Sequence, residues 1–183
     1  MTPELVKETS AGRSDATVSR ATISPADPRL GAWRALIQAH ARLFRRLDEE
    51  LESAHGVSLA EYDALLQLAN APGRRLRMSV LAERTLLSRS GITRLVDRLV
   101  ANGAVERSAC PTDARGAEAV LTPAGLDRLR TASVTHLDGV ARYFLEVVSA
   151  EDRAAIERGM GAVATAVEDA GASASVCSVP GEA

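Results

Sequence analysis

Residues Ser88 to Gly103 limit what this chain can fold into more than any other stretch. The run S-R-S-G-I-T-R-L-V-D-R-L-V-A-N-G sets Ile92, Leu95, Val96, Leu99 and Val100 at i, i+3, i+4, i+7 and i+8, which is one stripe of an α-helix. Ser88 suits the N-cap and Gly103 the position just past the C-cap, so the helix has both a start and a stop. The other face carries Arg89, Ser90, Thr93, Arg94, Asp97 and Arg98. An ordinary surface helix mixes acids and bases, whereas this one sets three arginines and two hydroxyls against one acid. Arginine reaches guanine edges and phosphates bidentately, and serine and threonine can bond either. The pattern predicts a helix that reads duplex DNA. The competing account is a solvated face that lacks glutamate, and the flanking chain decides between them.

Aromatic residues make up 3% of the 183 positions, so the core must be Leu, Val and Ala. That composition favours helices over strands. The formal net charge of −2 gives no sign of a polyanionic partner. Between Arg74 and Arg115, however, nine arginines face four acids, a local net of +5. Screening restricts phosphate attraction to about 8–10 Å, so the local balance is the relevant one. No apolar run approaches the roughly 20 residues that span a bilayer. The first residues hold no apolar stretch of the secretory kind. Cys110 and Cys177 are too few for a disulfide scaffold. A cytoplasmic protein with no membrane partner is expected.

In chain order, residues 1–29 mix Ser, Thr, Pro and charge without period, and a disordered tail is expected. A long helix follows over 30–56, with Trp33, Leu36, Ile37, His40, Leu43, Phe44, Leu47 and Leu51 as its apolar stripe. So long a stripe near a terminus has little of its own domain to cover it, and a partner chain is expected to cover part. Residues 57–121 read as one winged helix-turn-helix domain. Its first helix opens on the capping box Ser58-Leu59-Ala60-Glu61 and runs to about Asn70. A short strand is expected near Leu76 to Met78, then a helix over Ser79–Thr85, a tight turn without glycine, and the Ser88 helix. Val105–Ser108 and Ala117–Leu121 read as strands around the turn-rich A-C-P-T-D-A-R-G. Arg115 near the tip of that wing suits a narrow, negative minor groove. Thr122-Pro123 caps the first of two helices over 122–170, expected to run to about Val148 and from about Ser149. The second carries Ile156, Met160, Val163 and Val167 on one face. A disordered tail is expected over 171–183. The fold class is thus mainly α with a small β wing, a winged helix-turn-helix domain plus helical dimerisation arms.

This order, with L-A-E-R-T-L-L-S-R-S-G-I-T-R-L-V-D-R-L-V-A-N-G-A-V-E-R (Leu81 to Arg107), D-A-R-G (Asp113 to Gly116) and L-T-P-A-G (Leu121 to Gly125), resembles the MarR (multiple-antibiotic-resistance regulator) family of bacterial transcription factors. The likeness covers about Leu30 to Ala170. It implies a homodimer that places two recognition helices in successive major grooves of a palindrome. It further implies that Ser88, Arg89, Ser90, Thr93 and Arg94 face the groove and Arg98 a phosphate, while Arg115 enters the minor groove with Asp113 holding it. The family implies repression, and release from double-stranded DNA by a small phenolic or carboxylate effector bound between the dimer arms and the DNA-binding lobe. His40, on the arm's apolar stripe, is the candidate effector contact; the ordinary account of such a residue is a core or interface histidine. Gly91 departs from the pattern, since a capping Glu or Gln would suit the third helical position better.

No cofactor, metal site or catalysis is expected. The histidines His40, His55 and His136 form no H-x-x-x-H pair. Neither a phosphate-cradling Gly loop nor a G-x-S-x-G elbow is present. The alternative from another class is a winged-helix module for protein–protein assembly, which would bind no specific DNA. An interface helix would carry exposed aromatics or leucines where this one carries arginine.

Overall fold

The computed structural model describes residues 23–110 and 113–176, and for 110, 113–116 and 171–176 the backbone alone. The expected tails fall outside the described residues over 1–22 and 177–183. Two compact units divide the chain at residues 39 and 40. In the first, Asp27 accepts from the Arg29 amide at 2.8 Å, capping the short 3-10 turn Pro28–Leu30. Arg34 donates to the Pro25 carbonyl at 2.9 Å. Trp33, Leu36 and Ile37 are exposed.

Helix α1 (Gly31–His55) crosses the boundary between the units. Of its apolar stripe, Leu47 and Leu51 are buried, and Phe44 is exposed. Helix α2 (Leu59–Ala69) starts on the expected capping box: Ser58 Oγ accepts from the Glu61 amide, and Glu61 Oε2 accepts from the Ser58 amide at 3.1 Å. After it come strand β1 (Arg75–Arg77), helix α3 (Met78–Arg84) and helix α4 (Arg89–Ala101), the Ser88 stretch. Gly103, at φ +70°, takes the left-handed conformation that ends α4. Strands β2 (Val105–Cys110) and β3 (Asp113–Leu121) follow. They run farther out than the alternation suggested, leaving residues 111 and 112 between them.

The sheet is antiparallel in the order β1-β3-β2. Leu76 pairs with Ala119, and Val105 with Leu121. These four side chains are buried, and with Leu51, Val57, Leu65, Leu68, Leu81, Ile92, Leu95, Val96 and Leu99 they form one core. Burying a Leu or Ile stabilises by about 1.5–3 kcal/mol, so the stripe of α4 anchors it firmly. Val100, expected on the same stripe, is instead exposed. It lies at the stripe's edge, one residue before the end of the helix.

Helix α5 (Pro123–Val140) has Thr122 as N-cap and Pro123 in its first turn, as the pair predicted. Gly125 packs so closely that an added Cβ would overlap the Ala104 carbonyl oxygen, which explains the glycine of L-T-P-A-G. The expected continuation to Val148 is broken by a π-helical turn, Ala141–Leu145. That wider turn carries Tyr143, whose hydroxyl donates to Glu50 Oε1 of α1 at 2.6 Å. Arg46 joins the same carboxylate at 3.0 Å. Helix α6 (Ala150–Val176) opens with the Asp152 amide donating to Ser149 Oγ at 3.1 Å, and it runs past the expected Ala170. From 150 to 170 every α6 residue except Arg153 is exposed. No described helix is long and apolar enough to cross a membrane.

Candidate nucleic-acid interface

Helix α4 is positioned by its buried stripe and by two polar braces. Ser88 Oγ accepts from the Gly91 amide at 3.1 Å and lies 3.2 Å from Ser90 Oγ. Thr93 donates to the Arg89 carbonyl at 2.8 Å, so its hydroxyl proton is engaged while its oxygen keeps the capacity to accept. Arg89, Ser90, Thr93 and Arg94 are exposed. The lone acid of this face, Asp97, is engaged by Arg107 of β2 at 2.9 Å, and the same guanidinium donates to the Thr93 carbonyl at 3.3 Å. Arg98 Nε donates to Glu61 Oε1 of α2 at 3.0 Å. The Glu61 side chain is 9% exposed and that of Arg98 57%, so the carboxylate is fixed while part of the guanidinium still meets solvent. The Arg89 and Arg94 guanidiniums form no hydrogen bond or ion pair among the described residues. The neutralised acid and the two unpaired cations leave this face net positive, suited to a polyanion.

Asp113 and Arg115 lie at the start of β3, where Asp113 pairs with Cys110 across a register shift at Ala109/Cys110. Their side chains fall outside what the structure describes.

A cavity of about 630 Å³ opens between α1, α2 and α5, with Thr85 at the end of α3 on its rim. Phe44, Leu59, Ala60, Tyr62 and Leu66 give it an apolar wall; Arg45, Asp48, Asp63, Thr85 and His136 add polar groups. His136 stacks on Tyr62 with ring centroids 4.4 Å apart. Burial holds its imidazole below the ordinary value, and its Nδ1 is buried without a hydrogen-bond partner. His40, the candidate effector contact, is not in the cavity wall. It is exposed and stacks at 4.1 Å on Phe44, which is. Among the described residues no group of three or more His, Cys, Asp or Glu could hold a metal ion.

A sequence model of the MarR family matches residues 55–116, from the end of α1 to the wing. The solved structure of Sco3205, a MarR family transcriptional regulator from Streptomyces coelicolor in complex with DNA, is 35% identical with a TM-score of 0.73. The match covers 79% of this chain and 90% of that one. The chain belongs to the MarR family. AbsC, another MarR family transcriptional regulator of S. coelicolor, is 29% identical with a TM-score of 0.74, over 81% of this chain and 99% of that one. The PcaV transcriptional regulator of the same organism, solved with its natural ligand, is 28% identical with a TM-score of 0.61, over 80% of this chain and 99% of that one. No protein of curated function matches the sequence significantly. This MarR family member is therefore a transcriptional regulator built on a DNA-binding winged helix.

Sequence reasoning missed three residues that matter to the site. Glu61 was legible as a capping residue but not as the anchor of Arg98, because the pair joins two helices 37 positions apart. Arg107 counted as one more basic residue until the β2 register set it against Asp97. His136 falls on a helix with no local motif, and nothing in its neighbourhood marks a cavity wall.

Proposed function

We propose that this MarR family regulator acts as a homodimer on palindromic duplex DNA and represses the genes it controls. Ser88, Arg89, Ser90, Thr93 and Arg94 would contact the major groove, Arg98 a phosphate and Arg115 the minor groove, oriented by Asp113. The half-sites would lie about one helical turn, roughly 10 bp, apart. The helices over 30–56 and 122–170 would serve as dimerisation arms on the 57–121 DNA-binding domain. The protein works in the cytoplasm by binding, without catalysis or cofactor, and a small effector in the cavity would release it from DNA. The observation that carries this reading is the outer face of α4, where Arg89 and Arg94 are unpaired and the one acid is neutralised by Arg107. The DNA in the Sco3205 structure and the ligand in that of PcaV support it.

The test is a gel shift on the DNA upstream of its own reading frame, at two salt concentrations and against scrambled competitor. The expected result is a specific shift that weakens steeply with salt. Arg94→Ala should cost about 1–3 kcal/mol and relax the base preference at one position of each half-site. A folded dimer that shifts no duplex at low salt would overturn the reading in favour of an assembly module.

A further inference from the structure

The cavity's charges restrict what can enter it. Asp48 and Asp63 are its acids and Arg45 its one permanent cation. Asp48 Oδ1 accepts from the Leu59 amide at 2.7 Å, and Asp63 Oδ1 accepts from Gln67 Nε2 at 3.2 Å. Each therefore keeps a second carboxylate oxygen outside these bonds, and neither has an ion-pair partner among the described residues. Arg45 is placed otherwise. Its side chain is 73% exposed and already stands 3.9 Å from Glu49. Burial disfavours the charged form of the remaining basic group, His136. Two carboxylates without counter-ions thus share an apolar recess with the aromatic rings of Phe44 and Tyr62.

A carboxylate entering this recess would meet two like charges and one cation turned to another partner. A positive centre would be drawn to the carboxylates, and the ring faces would add cation–π attraction. The volume lies within the roughly 300–1,000 Å³ of small-molecule sites. We infer that the cavity takes an amphipathic organic cation, its positive centre neutralised by Asp48 and Asp63 and its apolar body against Phe44, Tyr62 and Leu66. This rests on the proposal that the cavity is an effector site, and it replaces the carboxylate class implied by the family likeness.

Calorimetric titration of the full chain, without DNA, tests the ligand class directly. The probes are benzyltriethylammonium chloride, sodium benzoate and benzyl alcohol, which share a ring and differ in charge. The ammonium should bind at least about tenfold more tightly than benzoate, with the alcohol between them. Asp63→Asn and Asp48→Asn should each weaken the ammonium by about tenfold, a size expected for one nearby charge in a partly hydrated site. Asparagine at 48 still offers an oxygen to the Leu59 amide, and thermal melts establish that both variants fold. Benzoate binding as tightly as the ammonium, or an ammonium affinity untouched by both variants, would overturn the inference. The gel shift separates the two proposals. Benzoate that releases the operator while the ammonium neither binds nor releases it would sink the cation and leave the effector. Ammonium binding by a protein that shifts no DNA would sink the regulator and leave the site.

Discussion

Leu86 stands between α3 and α4 at φ +54°, and the residue is 92% exposed. A side chain in the left-handed region is strained, and here no burial offsets the strain. Leu86→Gly should therefore raise stability by about 1 kcal/mol, read as a higher denaturant midpoint at unchanged slope. An unchanged or lower midpoint would mean that Leu86 has a packing role its exposure does not reveal. From sequence, the missing glycine in this turn was visible, but not which residue takes the strained angle. His136 gives a pH prediction. Burial lowers its folded-state pKa below the ordinary value of 6.5, so in that range the unfolded chain binds more protons. Its contribution to stability is whole above 6.5 and is lost as pH falls from there through the folded value. Melting temperature should drop as pH falls below 6.5, with a shallower drop in His136→Gln. Identical pH slopes for the two proteins would exclude His136 as the cause.

At the level of elements, α4 shows how much of the site was legible. Its bounds and caps follow from spacing alone, and of its predicted stripe Ile92, Leu95, Val96 and Leu99 are buried while Val100 is exposed. The status of its charges does not follow, because the partners come from α2 and β2. Arg98 is the sharpest case. As a phosphate contact it would be a free cation, yet its Nε is bonded to buried Glu61. Arg98→Ala should thus have two effects. It should lower stability by roughly 1 kcal/mol, because Glu61 loses its charged partner in a desolvated place. It should also weaken all duplexes alike and reduce the salt slope by about 1. Denaturant melts and gel shifts on the same protein check both, and unchanged stability would mean that the Glu61 bond contributes nothing. The helix from Thr122 is the converse case. Its cap was plain in Thr-Pro, but its break at Ala141–Leu145 leaves no local sign, and the bond from Tyr143 in that turn to Glu50 of α1 joins residues 93 positions apart.

For the whole molecule, the exposed stripes matter most. Ile156, Met160, Val163 and Val167 on α6 are 40–67% exposed, an apolar surface that a lone chain rarely leaves to water. If α6 is a dimerisation arm, Val163→Glu with Val167→Glu should yield a monomer in sedimentation. Operator affinity should fall at least tenfold, since two half-sites no longer bind as one unit. A double variant that still sediments as a dimer would place the interface elsewhere. The sequence by itself determined the element order, the caps, the apolar stripe of α4 and the family likeness, because periodicity and capping depend on neighbours within about four residues. Only the tertiary structure decided which arginines are free, that Glu61 is buried beneath Arg98, and that His136 rather than His40 lines the cavity. Each of those depends on groups brought together from distant parts of the chain, and charge pairing and burial are set by that proximity in space.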